Sequence, residues 1–117
     1  MANIYFFVLL FALYHLLNRE DTFTKTSKVI IDVSKIKTSK ELHLLLKVKL
    51  QFPNFYGENW DSFWETITSL VELPNKIEFI GWSELEKSLP EDSKIMKEYL
   101  IEHNQEFPSW KCEFLFN

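Results

Sequence analysis

The sequence predicts one small α/β domain with a three-stranded parallel sheet flanked by helices. Three runs rich in β-branched and aromatic residues, near positions 29–33, 76–80 and 110–116, are separated by long segments with helical periodicity. Strands joined by long helical segments pair in parallel through right-handed crossovers. With 117 residues, of which 46% are hydrophobic and 16% aromatic, the chain is large enough to bury one core.

Composition also restricts the function classes. Thirteen basic against seventeen acidic residues give a net charge of −4, which argues against direct binding of nucleic acid by bulk charge. Cys112 is the only cysteine, so an intramolecular disulfide is excluded. That usage fits a reducing compartment, and we expect the domain to be cytoplasmic.

An apolar run without charged side chains occupies residues 4–17. It is shorter than the roughly 20 residues of a membrane-spanning helix, and it lacks the basic leader and small-residue cleavage site of a secretory signal. Three interpretations stay open: a short inner-membrane anchor, a hydrophobic helix docked on the domain, or upstream sequence included by a misplaced start. In the first, Arg19, Lys25 and Lys28 favour a cytoplasmic domain.

The expected domain organisation follows from this run. Residues 1–17 form a hydrophobic N-terminal segment, and residues 18–27, rich in Thr, Ser and charge, form a linker. Residues 28–117 form the folded domain, whose first strand is the β-branched run at 29–33.

The first helix of the domain has a clear start signal. Thr38 and Glu41 have the spacing of a capping box, which satisfies two backbone N–H groups at a helix N-terminus. An apolar stripe then recurs at helical spacing, formed by Leu42, Leu45, Leu46 and Leu50.

The C-terminal half predicts two more helices between two strands. Residues 76–80 form the second strand, and Ser83 with Glu86 suggests a second capping box. Pro90 marks the start of a longer helix. Its inner side is predicted to comprise Ile95, Met96, Tyr99, Leu100 and His103. The last strand is predicted from the alternation of Trp110, Cys112, Phe114 and Phe116.

Between the first helix and the second strand lies the most informative segment, residues 53–72. Pro53 and Gly57 indicate a loop, and Asn59 is a good N-cap for a following helix. From Trp60 onward the apolar positions fall at helical spacing. The predicted core face consists of Phe63, Ile67, Leu70 and Val71.

A second side of this helix carries aromatic rings and negative charge. Trp60 and Trp64 are one turn apart, beside Asp61 and Glu65, which are also one turn apart. Residues 53–72 contain four acids and no Lys or Arg, although like charges at this spacing cost a few tenths of a kcal/mol. Aromatic rings beside acids are typical of a surface for a cationic partner. The alternative is a solvated helix face with both tryptophans in the core.

One run of residues resembles a known family. The run is Tyr56, Gly57, Glu58, Asn59, Trp60 and Asp61, followed by Phe63, Trp64 and Glu65. It resembles the Tyr-Gly-Glu-Asn-Leu-Asp-x-Leu-Trp-Asp signature of the barstar family, intracellular inhibitors of a secreted bacterial ribonuclease. The resemblance extends over about residues 28–117, in the same order of predicted elements. It implies the same three-stranded parallel fold, and a bacterial antitoxin or immunity protein.

The resemblance also implies a mechanism and a set of site residues. A rigid acidic helix with its preceding loop would fill the cationic active site of a ribonuclease, in a one-to-one complex. Glu65 and Asp61 match the two interface aspartates of the family's helix, and Trp64 matches its interface tryptophan. The full set of predicted partner-binding residues is Phe55, Tyr56, Gly57, Asn59, Trp60, Asp61, Trp64, Glu65, Thr68 and Glu102.

Three positions depart from the family pattern. Glu65 is one methylene longer than aspartate, Phe55 lacks the hydroxyl of the family's tyrosine, and Trp60 is bulkier than its leucine. These changes fit a different ribonuclease or toxin as the target, or a relative that has lost inhibition. The alternative function is an acidic interaction module, membrane-tethered through residues 1–17 or free, that binds a basic protein other than a nuclease.

Catalytic and metal motifs are scarce. His15, His43 and His103 have no Cys or acid at metal-ligand spacing, and two glycines are too few for a glycine-rich phosphate loop. Asp61 and Glu65 could form a glycosidase-like acid pair, but no sequence feature supports a sugar cleft. We therefore expect no enzyme activity, no metal and no cofactor.

Overall fold

The computed structural model describes residues 9–10 and 27–117. Apart from residues 9–10 and residue 27, the predicted N-terminal segment and linker lie outside the described residues. Within the described part, the predicted three-stranded parallel sheet with flanking helices is confirmed. In chain order the elements are β1 Val29–Asp32, α1 Ser39–Lys49, α2 Trp60–Glu65 with a π-helical turn Thr66–Leu70, β2 Lys76–Ile80, α3 Trp82–Ser88, α4 Pro90–Glu106, a 3-10 turn Pro108–Trp110, and β3 Glu113–Phe116.

The sheet has the order β1-β2-β3, with both pairs parallel. Val29 lies opposite Ile77, and Ile77 lies opposite Phe114. Since side chains alternate across a strand, Ile31, Ile77 and Phe79 point to one face and are fully buried there. The helices pack on this face and enclose the core.

Buried side chains from each of the helices complete that core. Leu42 and Leu46 of α1 and Phe63 of α2 are fully buried. Leu85 of α3 and Leu100 of α4 are at most 1% exposed. The predicted inner faces of α1 and α4 are therefore confirmed, with the one addition that His43 is buried beside the apolar stripe of α1.

The start of α1 is the predicted capping box. The Thr38 hydroxyl accepts a hydrogen bond from the Glu41 backbone N–H at 3.1 Å, and the Glu41 carboxylate accepts from the Thr38 N–H at 3.0 Å. The same carboxylate also accepts from the Lys37 N–H at 2.9 Å. These hydrogen bonds, led by that of Lys37, lower the pKa of Glu41.

The predicted start of α3 is wrong. The helix begins at Trp82 and its N-cap is Gly81, with a left-handed φ of 77° and no side-chain cap. A Cβ at position 81 would lie 2.3 Å from the Cβ of Ser34, so the close passage of the β1–α1 connection requires glycine there. The Ser83 hydroxyl bonds the Glu84 carboxylate instead of capping the helix.

Two other expectations need correction. Trp110 lies in the 3-10 turn rather than in the last strand, because the Asn104 side chain holds the chain before β3. Its amide accepts from the Cys112 N–H at 2.9 Å and donates to the Cys112 carbonyl at 2.6 Å. Val71 has extended backbone and follows the helix instead of forming part of it.

No helix in the described ranges, 9–10 and 27–117, has the length and apolar character to cross a membrane. In the same ranges no His, Cys, Asp and Glu side chains gather in a group that could hold a metal ion.

Candidate protein-interaction site

The loop before α2 is held by short hydrogen bonds between its own residues. The side-chain oxygen of Asn59 accepts a hydrogen bond from the Ser62 N–H at 2.8 Å, which makes Asn59 the N-cap, as predicted. The Asn59 amide donates to the Gly57 carbonyl at 3.1 Å, and the Gly57 N–H donates to the Ser62 hydroxyl at 2.8 Å. Gly57 and Asn59 are thus fixed to the first turn of α2.

Glu58, between them, has a left-handed φ of 56°, which is uncommon outside glycine. A Cβ at position 57 would lie 3.1 Å from the Ser62 Cβ and Oγ, tighter than ordinary contact. On the other side, the Lys47 ammonium of α1 donates to the Asn54 carbonyl at 3.2 Å. The loop is therefore held by hydrogen bonds on both sides of Phe55, whose side chain is exposed.

A buried pair lies beneath the loop. The Tyr56 side chain is 4% exposed, and its hydroxyl lies 2.6 Å from Nδ1 of His43, which is 1% exposed. Burial, with a further contribution from the charge of Glu58, raises the pKa of Tyr56, so the phenol stays protonated. Burial lowers the pKa of His43, and the charges of Asp92 and Glu58 oppose that shift only in part. His43 is therefore neutral, and its contact with the Tyr56 hydroxyl holds the loop to α1.

Sequence reasoning missed this role of His43. The signal was present, because position 43 follows Leu42 and precedes Leu46 by three residues, on the side of α1 that carries the apolar stripe. A histidine in such a stripe is buried and needs a partner, and that partner is a tyrosine of the candidate site.

Trp60 is partly buried between helices. Its ring centroid lies 4.3 Å from that of His43 and 5.2 Å from that of Phe63. Its indole N–H donates to Oδ1 of Asp92, in α4, at 2.8 Å. The predicted contact of Trp60 with a partner stays a prediction, while its N–H is engaged within the domain.

The second tryptophan packs on α4. The Trp64 ring centroid lies 5.3 Å from that of Tyr99. The Thr68 hydroxyl donates to the Trp64 carbonyl at 2.6 Å, and Thr68 is 3% exposed. At this point the helix widens into the π-helical turn, where the Val71 N–H bonds the Thr66 carbonyl at 3.0 Å. The Tyr56 and Thr68 side chains thus face the interior, and their partner contacts stay predictions.

The outward surface of the segment is acidic and aromatic. Asp61 and Glu65 are exposed, and Phe55 is 75% exposed. Among residues 27–117 the ion pairs are Lys28 with Glu78 and Lys76 with Glu113, so neither exposed carboxylate of α2 is neutralised there. We call Phe55, Asp61 and Glu65 the acidic face.

Glu102 is exposed on α4, three residues after Tyr99. Residues at this spacing are neighbours on a helix, and Tyr99 contacts Trp64, so Glu102 lies on the side of α4 that borders α2. Of the predicted residues, Tyr56 and Thr68 are buried, and the role of Glu102 in the site stays a prediction.

The fold is a small three-stranded parallel α/β domain, and the loop before α2 and α2 itself carry exposed aromatic and acidic side chains. Comparison with known families identifies the family of the domain. Residues 26–116 match the family described as Barstar (barnase inhibitor). The chain belongs to the barstar family.

A curated relative agrees at the level of the family. A Bacillus subtilis (strain 168) protein provisionally named ribonuclease inhibitor YrdF is 45% identical over 47 residues, which are 40% of this chain and 52% of that protein. The chain thus matches about half the length of this curated relative. Both names describe inhibitors, which agrees with the expectation that the chain is not an enzyme.

Proposed function

We propose that this chain inhibits a cationic ribonuclease by placing the acidic face over its active site. The observation that carries the proposal is the pair of exposed carboxylates of Asp61 and Glu65, one helical turn apart and without a basic neighbour in residues 53–72. Membership of a family described as barnase inhibitor gives the class of partner.

The charge of the site suits that partner. A ribonuclease binds phosphate groups with Lys, Arg and His side chains, so its active site is a cationic concavity. Carboxylates can take the place of phosphates there through charge-assisted hydrogen bonds, and their field also accelerates encounter. A rigid domain of this size then excludes RNA sterically, in a one-to-one complex.

The aromatic residue of the acidic face, Phe55, can contribute binding energy. Phe55, in the loop before α2, is 75% exposed, although apolar side chains of this size are usually buried. Aromatic residues dominate binding hot spots, and an interface of ordinary size buries roughly 1,600 Å² in total. Phe55 therefore is the anchor we expect to fill an apolar pocket beside the cationic groups. Glu102 would extend the interface onto α4.

An inhibitor of this kind protects the cell that makes the nuclease. We accordingly propose an antitoxin or immunity role in the bacterial cytoplasm, where Cys112 stays reduced. In the structure Cys112 is fully buried, so its thiol is shielded in any case.

The test compares two charge-matched variants. Asp61→Asn with Glu65→Gln removes two charges from the acidic face, and Glu86→Gln with Glu91→Gln removes two exposed charges from α3 and α4 outside the predicted site. The assay is RNA cleavage by a barnase-type ribonuclease with increasing inhibitor. We expect the wild type and the control variant to inhibit equally, and the α2 variant to need at least about 100-fold more protein.

A second measurement separates a nuclease from another basic partner. RNA fragments that fill the nuclease active site should prevent complex formation with the wild type at constant ionic strength. If RNA fragments do not weaken binding and added salt does, the partner surface is a basic surface other than the active site.

In the inhibition assay with the charge-matched variants, equal inhibition by the two double variants would contradict the proposal.

A further inference from the structure

A single carboxylate oxygen joins three helices next to the acidic face. Oδ1 of Asp92 accepts a hydrogen bond from the Trp60 indole N–H at 2.8 Å and another from the Ser39 hydroxyl at 3.1 Å. Trp60 is the first residue of α2, Ser39 is the first residue of α1, and Asp92 is in the first turn of α4. The N-terminal turns of the three helices therefore meet at one atom. We call Ser39, Trp60 and Asp92 the Asp92 junction.

The same tryptophan also connects the junction to the loop. Its ring packs on His43 at a centroid distance of 4.3 Å, and Nδ1 of His43 is 2.6 Å from the Tyr56 hydroxyl. Tyr56 is the neighbour of Phe55 in the loop. The position of Trp60 thus affects both parts of the acidic face, the loop before it and the helix after it.

We propose that Trp60 and Asp92 are positioning residues that hold the acidic face in its binding geometry before a partner arrives. The inference rests on the proposed function for the identity of the partner. A hydrogen bond to a carboxylate is stronger than one between neutral groups, especially where the donor is partly buried. A face that is already ordered loses less conformational entropy on binding.

The need for such a junction follows from the length of α2. Six α-helical residues are too few to form a stable helix without tertiary contacts. Trp60 directly precedes Asp61, so a shift of the indole moves the first carboxylate of the face. The family signature has leucine at this position, and the leucine side chain has no N–H to donate. The Asp92 junction is accordingly a property of this chain's own residues.

Four single variants isolate the junction. Trp60→Phe removes the donor and keeps an aromatic ring on His43, and Asp92→Ala removes the acceptor. Asp92→Asn keeps an acceptor oxygen in nearly the same place. Glu91→Ala is the matched control, because Glu91 is an exposed acid in the same turn of α4 and carries the same charge.

Hydrogen exchange of the free full-length chain tests the positioning role without a partner. We expect Trp60→Phe and Asp92→Ala to accelerate exchange in residues 54–65 about 3–10-fold, the equivalent of one hydrogen bond. Exchange in β2 should stay unchanged, whereas a general loss of stability would accelerate both segments. Asp92→Asn should fall between the wild type and Asp92→Ala, because it keeps the acceptor oxygen but loses the charge that strengthens the hydrogen bond. Glu91→Ala should match the wild type. Unchanged exchange in residues 54–65, or equal effects of Asp92→Ala and Glu91→Ala, would overturn the inference.

Dissociation from a barnase-type ribonuclease gives the second readout. Each of Trp60→Phe and Asp92→Ala should speed dissociation about 3–10-fold, and the double variant should be no faster than the stronger single one. If the wild type binds no ribonuclease, the proposed function fails while the exchange data still decide the junction. If the nuclease binds and both variants dissociate like the wild type, the junction is rejected and the proposed function stands.

Discussion

The neighbouring helices α1 and α2 differ in where their charged residues lie relative to the helix ends. α1 has Glu41 in its first turn and Lys47 and Lys49 in its last turn, which is the arrangement that the helix dipole favours. α2 has Asp61 in its first turn, but it ends in Glu65 and has no basic residue in its last turn. The charges of α1 stabilise their own helix, whereas α2 and its π-helical turn contain no basic residue to offset Asp61 and Glu65.

The acids of the two helices also differ in their polar partners within the domain. The Glu41 carboxylate accepts bonds from two backbone N–H groups at the start of α1. Over residues 27–117, the Asp61 and Glu65 carboxylates take no part in the ion pairs of the domain. The dipole of α2 favours Asp61 in the first turn, but no hydrogen bond or ion pair within residues 27–117 accounts for Glu65. The proposed cationic partner would account for it.

The largest effect should come from the buried side of α2. Phe63 is fully buried, so Phe63→Ala should lower the free energy of unfolding by about 3–5 kcal/mol, because a large cavity is left in the core. Urea denaturation measures it. Val48→Ala in α1 is the control, since Val48 is 73% exposed and its loss should change stability by no more than about 0.5 kcal/mol. Equal stabilities for the two variants would mean that α2 does not contribute to the core.

The exposed side of α2 should affect binding instead of folding. Glu65→Gln keeps the size of the side chain and removes its charge, so we expect an affinity loss of about 2–5 kcal/mol for a barnase-type ribonuclease. Stability should stay within about 0.5 kcal/mol of the wild type, because Glu65 makes no ion pair in residues 27–117. Titration calorimetry and denaturation measure the two quantities. Equal losses of affinity and of stability would contradict the prediction that Glu65 acts in binding and not in folding.

The cap of α1 should show the reverse pattern. Thr38→Ala removes the hydroxyl that accepts from the Glu41 N–H, and it should cost about 1 kcal/mol of stability. Affinity for the ribonuclease should not change, since the cap lies outside the acidic face. A drop in affinity larger than the drop in stability would extend the interface to α1.

The smallest effect concerns pH and the support beneath the loop. Burial keeps the pKa of His43 below its usual range, so the folded protein takes up fewer protons there than the unfolded chain. The contribution of His43 to stability is therefore complete above an unfolded pKa of about 6.5, and it is lost as the pH falls below that value. Denaturation of the wild type and His43→Gln from about pH 7.5 to about pH 5.5 measures this contribution. The stability difference should narrow as the pH falls, and parallel curves would show that His43 does not titrate with folding.

Features set by neighbouring residues in the chain could be predicted from the sequence. The cap formed by Thr38 and Glu41, the N-cap Asn59 and the start of α4 at Pro90 are local signals, and each is found as expected. The parallel sheet followed from the spacing of its strands. Local chemistry and the long connections therefore sufficed for the fold.

Features set by residues distant in the chain could not be predicted. The start of α3 depends on Gly81 because Ser34 passes close to it, and Ser83 gave a false signal. The hydrogen bond of the Trp60 indole to Asp92, 32 residues away, could not be read from the sequence. The sequence predicted that Asp61 and Glu65 lie on one helix, as is found, but it did not show which contacts hold that helix in place.

The most direct test of the account is to map the surface that a ribonuclease covers. Amide NMR signals of the full-length chain would be followed during titration with a catalytically inactive barnase-type ribonuclease. We predict that the largest shifts cluster in residues 54–65 and at Glu102, while the open face of the sheet around Ile30 and the outer side of α1 around Val48 stay unchanged. Shifts concentrated on Ile30 or Val48, with Phe55, Asp61 and Glu65 unaffected, would contradict the claim that the acidic face is the interface.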